Sequence, residues 1–146
     1  MKLTFKGDYA LKAIFDLTLH YGSEPVTTHD LASRIDAPVK FLEQVLLELK
    51  RGGFIVSKRG NEGGYLLSRA PGKITVGEVI RYIEGPIEPI ACVQDGYAGC
   101  SDMGGCVFRS LWQDVHKAVT DIVDNVTFEQ LVAKETVSKE ALVYSI

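Results

Sequence analysis

Residues 27–69, TTHDLASRIDAPVKFLEQVLLELKRGGFIVSKRGNEGGYLLSR, decide the fold. Thr27 and Asp30 have capping-box spacing: a threonine oxygen accepts an orphan amide and the acid three places on answers it. A short helix over 28–34 follows, then a tight turn at 34–38. Pro38 opens a second helix, at a position where its missing N–H costs nothing. That helix places Val39, Leu42, Leu46 and Leu49 on one face and stops at Gly52 and Gly53. Two short helices joined by a tight turn form a helix-turn-helix. Two strand-like runs, 54–58 and 65–69, come next, separated by six residues rich in types that accept positive φ. A helix-turn-helix followed by such a hairpin is the winged-helix order.

Outward from this stretch, Leu11, Ile14, Leu17 and Tyr21 make a helical stripe over 8–21 that Gly22 and Pro25 end. On the other side, Thr75 and Glu78 form a second capping box. The helix they start turns Val76, Val79, Ile80 and Ile83 inward and ends at Gly85 and Pro86. A glycine-rich loop, 85–106, carries Cys92, Cys100 and Cys106, the only cysteines of the chain. Beyond it Phe108, Trp112, Val115, Val119, Ile122 and Val126 recur at heptad spacing. A helix packed on its own domain would show this stripe, and so would a dimer seam. A DNA reader with one short helix needs a twofold partner, which favours the seam. Thr127 and Gln130 cap a last short helix. The expected fold is mostly α with a small β-hairpin wing: a winged helix-turn-helix plus a long dimerisation helix. The expected organisation is a DNA-binding domain over 1–84, a cysteine loop over 85–106, and a dimerisation helix with a C-terminal helix over 107–146.

Composition narrows the function. The 146 residues have the apolar and charged fractions of an ordinary folded domain. No apolar run approaches the roughly 18 residues that span a bilayer, so no membrane partner is expected. An odd number of cysteines without an export signal points to the reducing cytoplasm. The net charge of −3 hides an asymmetry. Residues 1–69 hold 10 Lys/Arg against 8 Asp/Glu, and residues 70–146 hold 6 against 11. Basic pairs at Lys50-Arg51 and Lys58-Arg59 provide the local field that phosphate contact needs.

Double-stranded DNA is therefore the expected partner. In the second helix Lys40, Phe41, Glu43, Gln44 and Lys50 face outward. Glutamine suits adenine, glutamate the cytosine amino group, and lysine phosphate or guanine. In the hairpin, Lys58, Arg59 and Asn61 are placed for the neighbouring minor groove. Three soft thiols within 15 residues suit an iron–sulfur cluster or zinc, while structural zinc usually brings CxxC knuckles that this loop lacks. Three unmetallated cysteines are the remaining reading. His20, His29 and His116 show no arrangement that singles out a catalytic base, so no enzyme is expected.

The opening MKLTFKGDYALKA, the segment FLEQVLLELKRGGFIVSKRGNEGGYLL, the run ITVGEVI, the cysteine loop and Leu111-Trp112 together resemble a bacterial family. These are the winged-helix iron–sulfur transcription regulators typified by IscR, NsrR and RirA, and the resemblance covers nearly the whole chain. It implies a homodimeric regulator, usually a repressor, binding palindromic DNA at genes for iron–sulfur cluster assembly or iron and sulfur handling. It implies that Cys92, Cys100 and Cys106 hold a cluster, [2Fe–2S] in preference to [4Fe–4S]. One departure matters. The IscR branch has a histidine three residues after the last cysteine, where this chain has Arg109, which stays protonated and cannot ligate iron. In the nitric-oxide-sensing branch an aspartate near the partner's N-terminus completes the cluster, and the partner subunit's Asp8 is the matching candidate. The seven-residue gap between Cys92 and Cys100 is more similar to the RirA type. A nitric-oxide or redox signal, and structural zinc, stay open as alternatives.

Overall fold

The computed structural model describes residues 2–102 and 104–144; Met1, Met103, Ser145 and Ile146 lie outside the described residues. Helix α1 spans Phe5–Leu19, α2 Thr28–Ile35 and α3 Val39–Arg51. Strands β1 (Ile55–Lys58) and β2 (Gly64–Leu67) lead through a 3-10 turn at Pro71–Lys73 to α4, Val76–Glu84. A further 3-10 turn, Ala91–Val93, lies inside the cysteine loop, followed by α5 (Val107–Val123) and α6 (Phe128–Tyr144). The fold is the expected winged helix-turn-helix with two long helices after it.

The α2–α3 turn is made by Asp36, the one non-glycine residue with positive φ among the described residues, at 53°. A short polar side chain tolerates the left-handed region better than most, and the Ala37 amide closes the turn on the Ala32 carbonyl at 3.0 Å. The Thr27 hydroxyl accepts from the Asp30 amide at 3.1 Å, the first half of the expected capping box. The full reciprocal pair forms at Thr75 and Glu78. It also forms at Thr127 and Gln130, with bonds of 3.2 and 2.9 Å. The longer acids and amides at those two sites reach back where aspartate is one carbon short.

The core is one cluster. Ala10, Ala13, Ile14 and Leu17 of α1 meet Leu31 and Ala32 of α2, and Leu42, Val45, Leu46 and Leu49 of α3. Val79 and Ile83 of α4 close it. Val45 joins the α3 face because it falls between the turns of the expected stripe. The hairpin pairs Ile55 with Leu67 and Lys58 with Gly64 in antiparallel register. Val26 adds a bridge to Tyr65 at 2.8 and 3.0 Å, pinning the wing to the body.

Helix α6 corrects the sequence reading. It runs 17 residues, not one short helix, and its first residue, Phe128, is buried in the main core. Helix α5 is the opposite case, since none of its residues is buried. Its heptad stripe is divided. Val115 and Val119 line a cavity of about 30 Å³ with Ile87 and Pro89 of the cysteine loop, while Phe108 and Ile122 are 62% and 64% exposed. The C-terminal end of α5 is fixed by a bidentate pair from Arg81 on α4 to Asp124, which holds that carboxyl below the usual aspartate range. The Val76 amide adds a 2.9 Å bond to the Val126 carbonyl.

Candidate nucleic-acid interface and thiol loop

Helix α3 presents Lys40, Glu43, Gln44, Lys50 and Arg51 to solvent, opposite its buried stripe. Phe41 differs from the other expected readers: it is half-buried and meets the edge of the Tyr9 ring on α1 at 5.7 Å. Arg59 and Asn61 are exposed at the hairpin tip, next to exposed Lys58. Gly60 takes a φ of 114°, and a Cβ on Gly63 would strike the Lys58 carbonyl, so the tip needs both glycines. The structure therefore brings five of the six expected DNA contacts, Lys40, Glu43, Gln44, Arg59 and Asn61, onto open surface, and turns the sixth, Phe41 on α3, partly inward.

Contacts that sequence reasoning missed hold this surface in place. Asp16 on α1 is 5% exposed and receives two bonds of 2.8 Å from the Arg34 guanidinium on α2. That pair locks the first helix of the motif to the body. Lys6 on α1 pairs with Glu48 on α3 at 3.3 Å. At the far end of α3, the Tyr82 ring of α4 lies so near Gly52 that a Cβ there would come within 2.7 Å of it. Tyr82 also meets Phe54 edge-on at 5.6 Å, and the Arg69 guanidinium covers Phe54 at 5.3 Å. No periodicity announces these residues; each is polar or aromatic and is defined by a neighbour distant in sequence.

The last turn of α4 also reaches α1. Glu84 accepts from the Thr4 amide at 2.9 Å and from the Thr4 hydroxyl, bonds that hold its carboxyl below the usual glutamate range. Immediately afterwards Gly85, at φ 89°, turns the chain into the cysteine loop. The end of α4 thus touches α1, the end of the reading helix and the start of the thiol segment.

Within that segment the three cysteines are free thiols. Cys92 sits in the 3-10 turn, with its carbonyl 3.4 Å from the Arg109 Nε. Cys100 is exposed, and Cys106 is the N-cap of α5. Among the described residues, no three His, Cys, Asp or Glu side chains converge on one point. Asp8 is engaged with Lys12 at 2.7 Å. The donor set nonetheless fits an iron–sulfur group: three soft thiols, one of them at a helix N-terminus, where the dipole favours the negative charge of a ligating sulfur. Arg109 binds a backbone carbonyl and has no lone pair to offer a metal.

A helix-turn-helix with its second helix and hairpin tip both open to solvent is the architecture of a DNA-binding protein. The chain belongs to the Rrf2 family, described as iron-dependent transcriptional regulators, whose model matches residues 3–134. The chain is 35% identical over 137 residues to the HTH-type transcriptional regulator IscR of Pectobacterium carotovorum, covering 94% of this chain and 82% of that one. Among solved structures it is similar to CymR, the global cysteine regulator of B. subtilis, with a TM-score of 0.78 and 31% identity over 92% of this chain and 98% of that one. T. potens IscR gives 0.74 and 31%, over 92% and 88%. The protein is a DNA-binding transcriptional regulator and not an enzyme. Among the described residues no helix is long and apolar enough to cross a membrane.

Proposed function

We propose that this chain acts in the cytoplasm as a homodimeric repressor of genes for iron–sulfur cluster assembly or for iron and sulfur handling. Its DNA affinity is set by an iron–sulfur cluster on Cys92, Cys100 and Cys106. The observation that carries the reading is one of placement. Every cysteine of the chain lies in the segment between α4, whose last turn grips the reading helix, and α5, which has no buried residue. The family's description as iron-dependent transcriptional regulators supports the iron link. A [2Fe–2S] cluster is preferred to a [4Fe–4S] one. The partner subunit's Asp8 is the candidate fourth ligand.

When bound, the cluster supplies an occupant that iron scarcity, oxidants or nitric oxide can remove. The protein's own residues do the rest. The loop's Ile87 and Pro89 lie against α5, and Tyr82 and Glu84 lie against α3 and α1. Ordering the loop therefore biases the position of the reading helix. It changes DNA affinity only as far as it stabilises one arrangement over the other. Exposed Val107, Phe108, Leu111 and Ile122 on α5 support a twofold seam, which would space two reading helices for a palindromic site.

The test is an oxygen-free preparation. The expected sample is brown, contains iron and sulfide, and sediments as a dimer. A colourless sample containing zinc would replace the cluster with a structural metal. Asp8→Ala, run alongside, is expected to lower cluster retention; unchanged retention would remove Asp8 from the ligand set.

Two variants test the reading surface. Arg59→Ala is expected to weaken binding to all sequences and to lower the slope of log affinity against log salt by about 1. An unchanged slope would exclude a phosphate contact. Gln44→Ala is expected to cost roughly 1–3 kcal/mol and to relax base preference at one position of each half-site. An intact preference would show that Gln44 is not a reader.

A further inference from the structure

Leu47 is the residue on α3 whose exposure the core does not explain. It is 44% exposed and belongs neither to the buried cluster nor to the half-buried residues packed against it. At about 100° per residue, it points roughly 150° away from the mean direction of Leu42, Val45, Leu46 and Leu49. It falls inside the arc bounded by Glu43 and Gln44, and Lys40 and Arg51 lie in the same arc. Every neighbour on that face is charged or an amide. A scattered surface leucine needs no explanation in general. One at the centre of a reading surface does, because whatever occupies that surface must desolvate it.

We propose that Leu47 is a specificity-determining residue that contacts the C5-methyl group of a thymine in the major groove. This rests on α3 being the DNA-reading helix, as argued above. The chemistry selects thymine. A leucine offers no donor or acceptor, and among the base edges in the major groove only thymine presents an apolar group. The geometry places it beside a polar readout: Leu47 lies one turn beyond Gln44, about 4.5 Å along the helix axis. Gln44 suits an adenine, so the two side chains together would read neighbouring A·T pairs in each half-site.

The experiment removes the methyl group from the DNA and the side chain from the protein. Binding sites are first selected from random duplexes with the full-length wild-type protein. Each thymine of the selected site is then replaced singly, in both half-sites, by deoxyuridine, which lacks only the methyl. At one thymine position the wild type is expected to lose about three- to fivefold in affinity per half-site, the worth of one buried methyl group. Leu47→Ala should bind the unmodified site more weakly by a similar factor and show no further loss with deoxyuridine there. At every other thymine the two proteins should respond alike. Equal responses of wild type and variant at all thymines would overturn the assignment. Failure of the wild type to select any sequence, or selection that Lys40, Glu43 and Gln44 substitutions leave unaltered, would instead overturn α3 as the reader. Leu47→Ala is not expected to disturb folding, because the side chain is outside the core; its thermal midpoint checks this.

Discussion

Replacing Cys92, Cys100 and Cys106 together with alanine is expected to give a colourless protein whose operator affinity no longer responds to iron supply. The effect is expected to be all-or-none because all three proposed ligands disappear at once. The same substitution should leave the winged helix standing. Cys100 is exposed, Cys92 and Cys106 are half-buried, and none belongs to the core. Substitutions at such sites usually change stability by less than about 1 kcal/mol. Iron and sulfide analysis, a thermal melt and DNA titration on one preparation separate these outcomes. A triple variant that still changes its DNA affinity with iron would place the sensor elsewhere.

Arg34→Ala is expected to be the most destabilising single substitution outside the apolar core. It leaves the Asp16 carboxylate, 5% exposed, without the guanidinium that meets both its oxygens at 2.8 Å. Breaking a buried pair from one side typically costs about 3–5 kcal/mol. The Arg34 side chain is 40% exposed, so water can partly replace it, and a loss of about 2–3 kcal/mol is expected here. The melting temperature should fall by roughly 5–10 °C for a chain of this size. Arg34→Lys should recover only part of the loss, because an ammonium cannot bond both oxygens in the fork geometry. Lys117→Ala removes a pair that is 74% and 59% exposed and should leave stability essentially unchanged. If urea unfolding finds Arg34→Ala no worse than Lys117→Ala, the lock between α1 and α2 is not structural.

The winged helix was legible because its signals are local. Capping threonines, the proline before α3, glycines at the hairpin tip and periodic apolar residues each act within a few positions. The two long helices were legible only in part. The heptad stripe of α5 was visible, but its division between the chain's own loop and solvent depends on where Ile87 and Pro89 fold back. The length of α6 was missed because the helix lacks an apolar stripe; only its first turn, through Phe128, is anchored in the core. The cysteines could be singled out from their clustering, but among the described residues no three metal-ligating side chains converge, so their proposed grouping rests on chemistry rather than on position. Phe41 shows the limit most simply. An aromatic residue on a reading helix suits a base contact as well as a packing contact, and the packing contact it makes here, with Tyr9, lies 32 residues away in the sequence. Tyr82 and Glu84 carry no local signature, because their meaning comes from Gly52 and Thr4, far away in the sequence.

In the proposed mechanism, thiol-bound iron and sulfide set the grip on DNA. The most direct measurement is to titrate one selected operator, without oxygen, against a single preparation before and after cluster removal. A change in affinity of at least tenfold, about 1.4 kcal/mol, is expected, and it should reverse when iron and sulfide are restored. Identical affinities for the two forms, with iron and sulfide verified in the first, would contradict it.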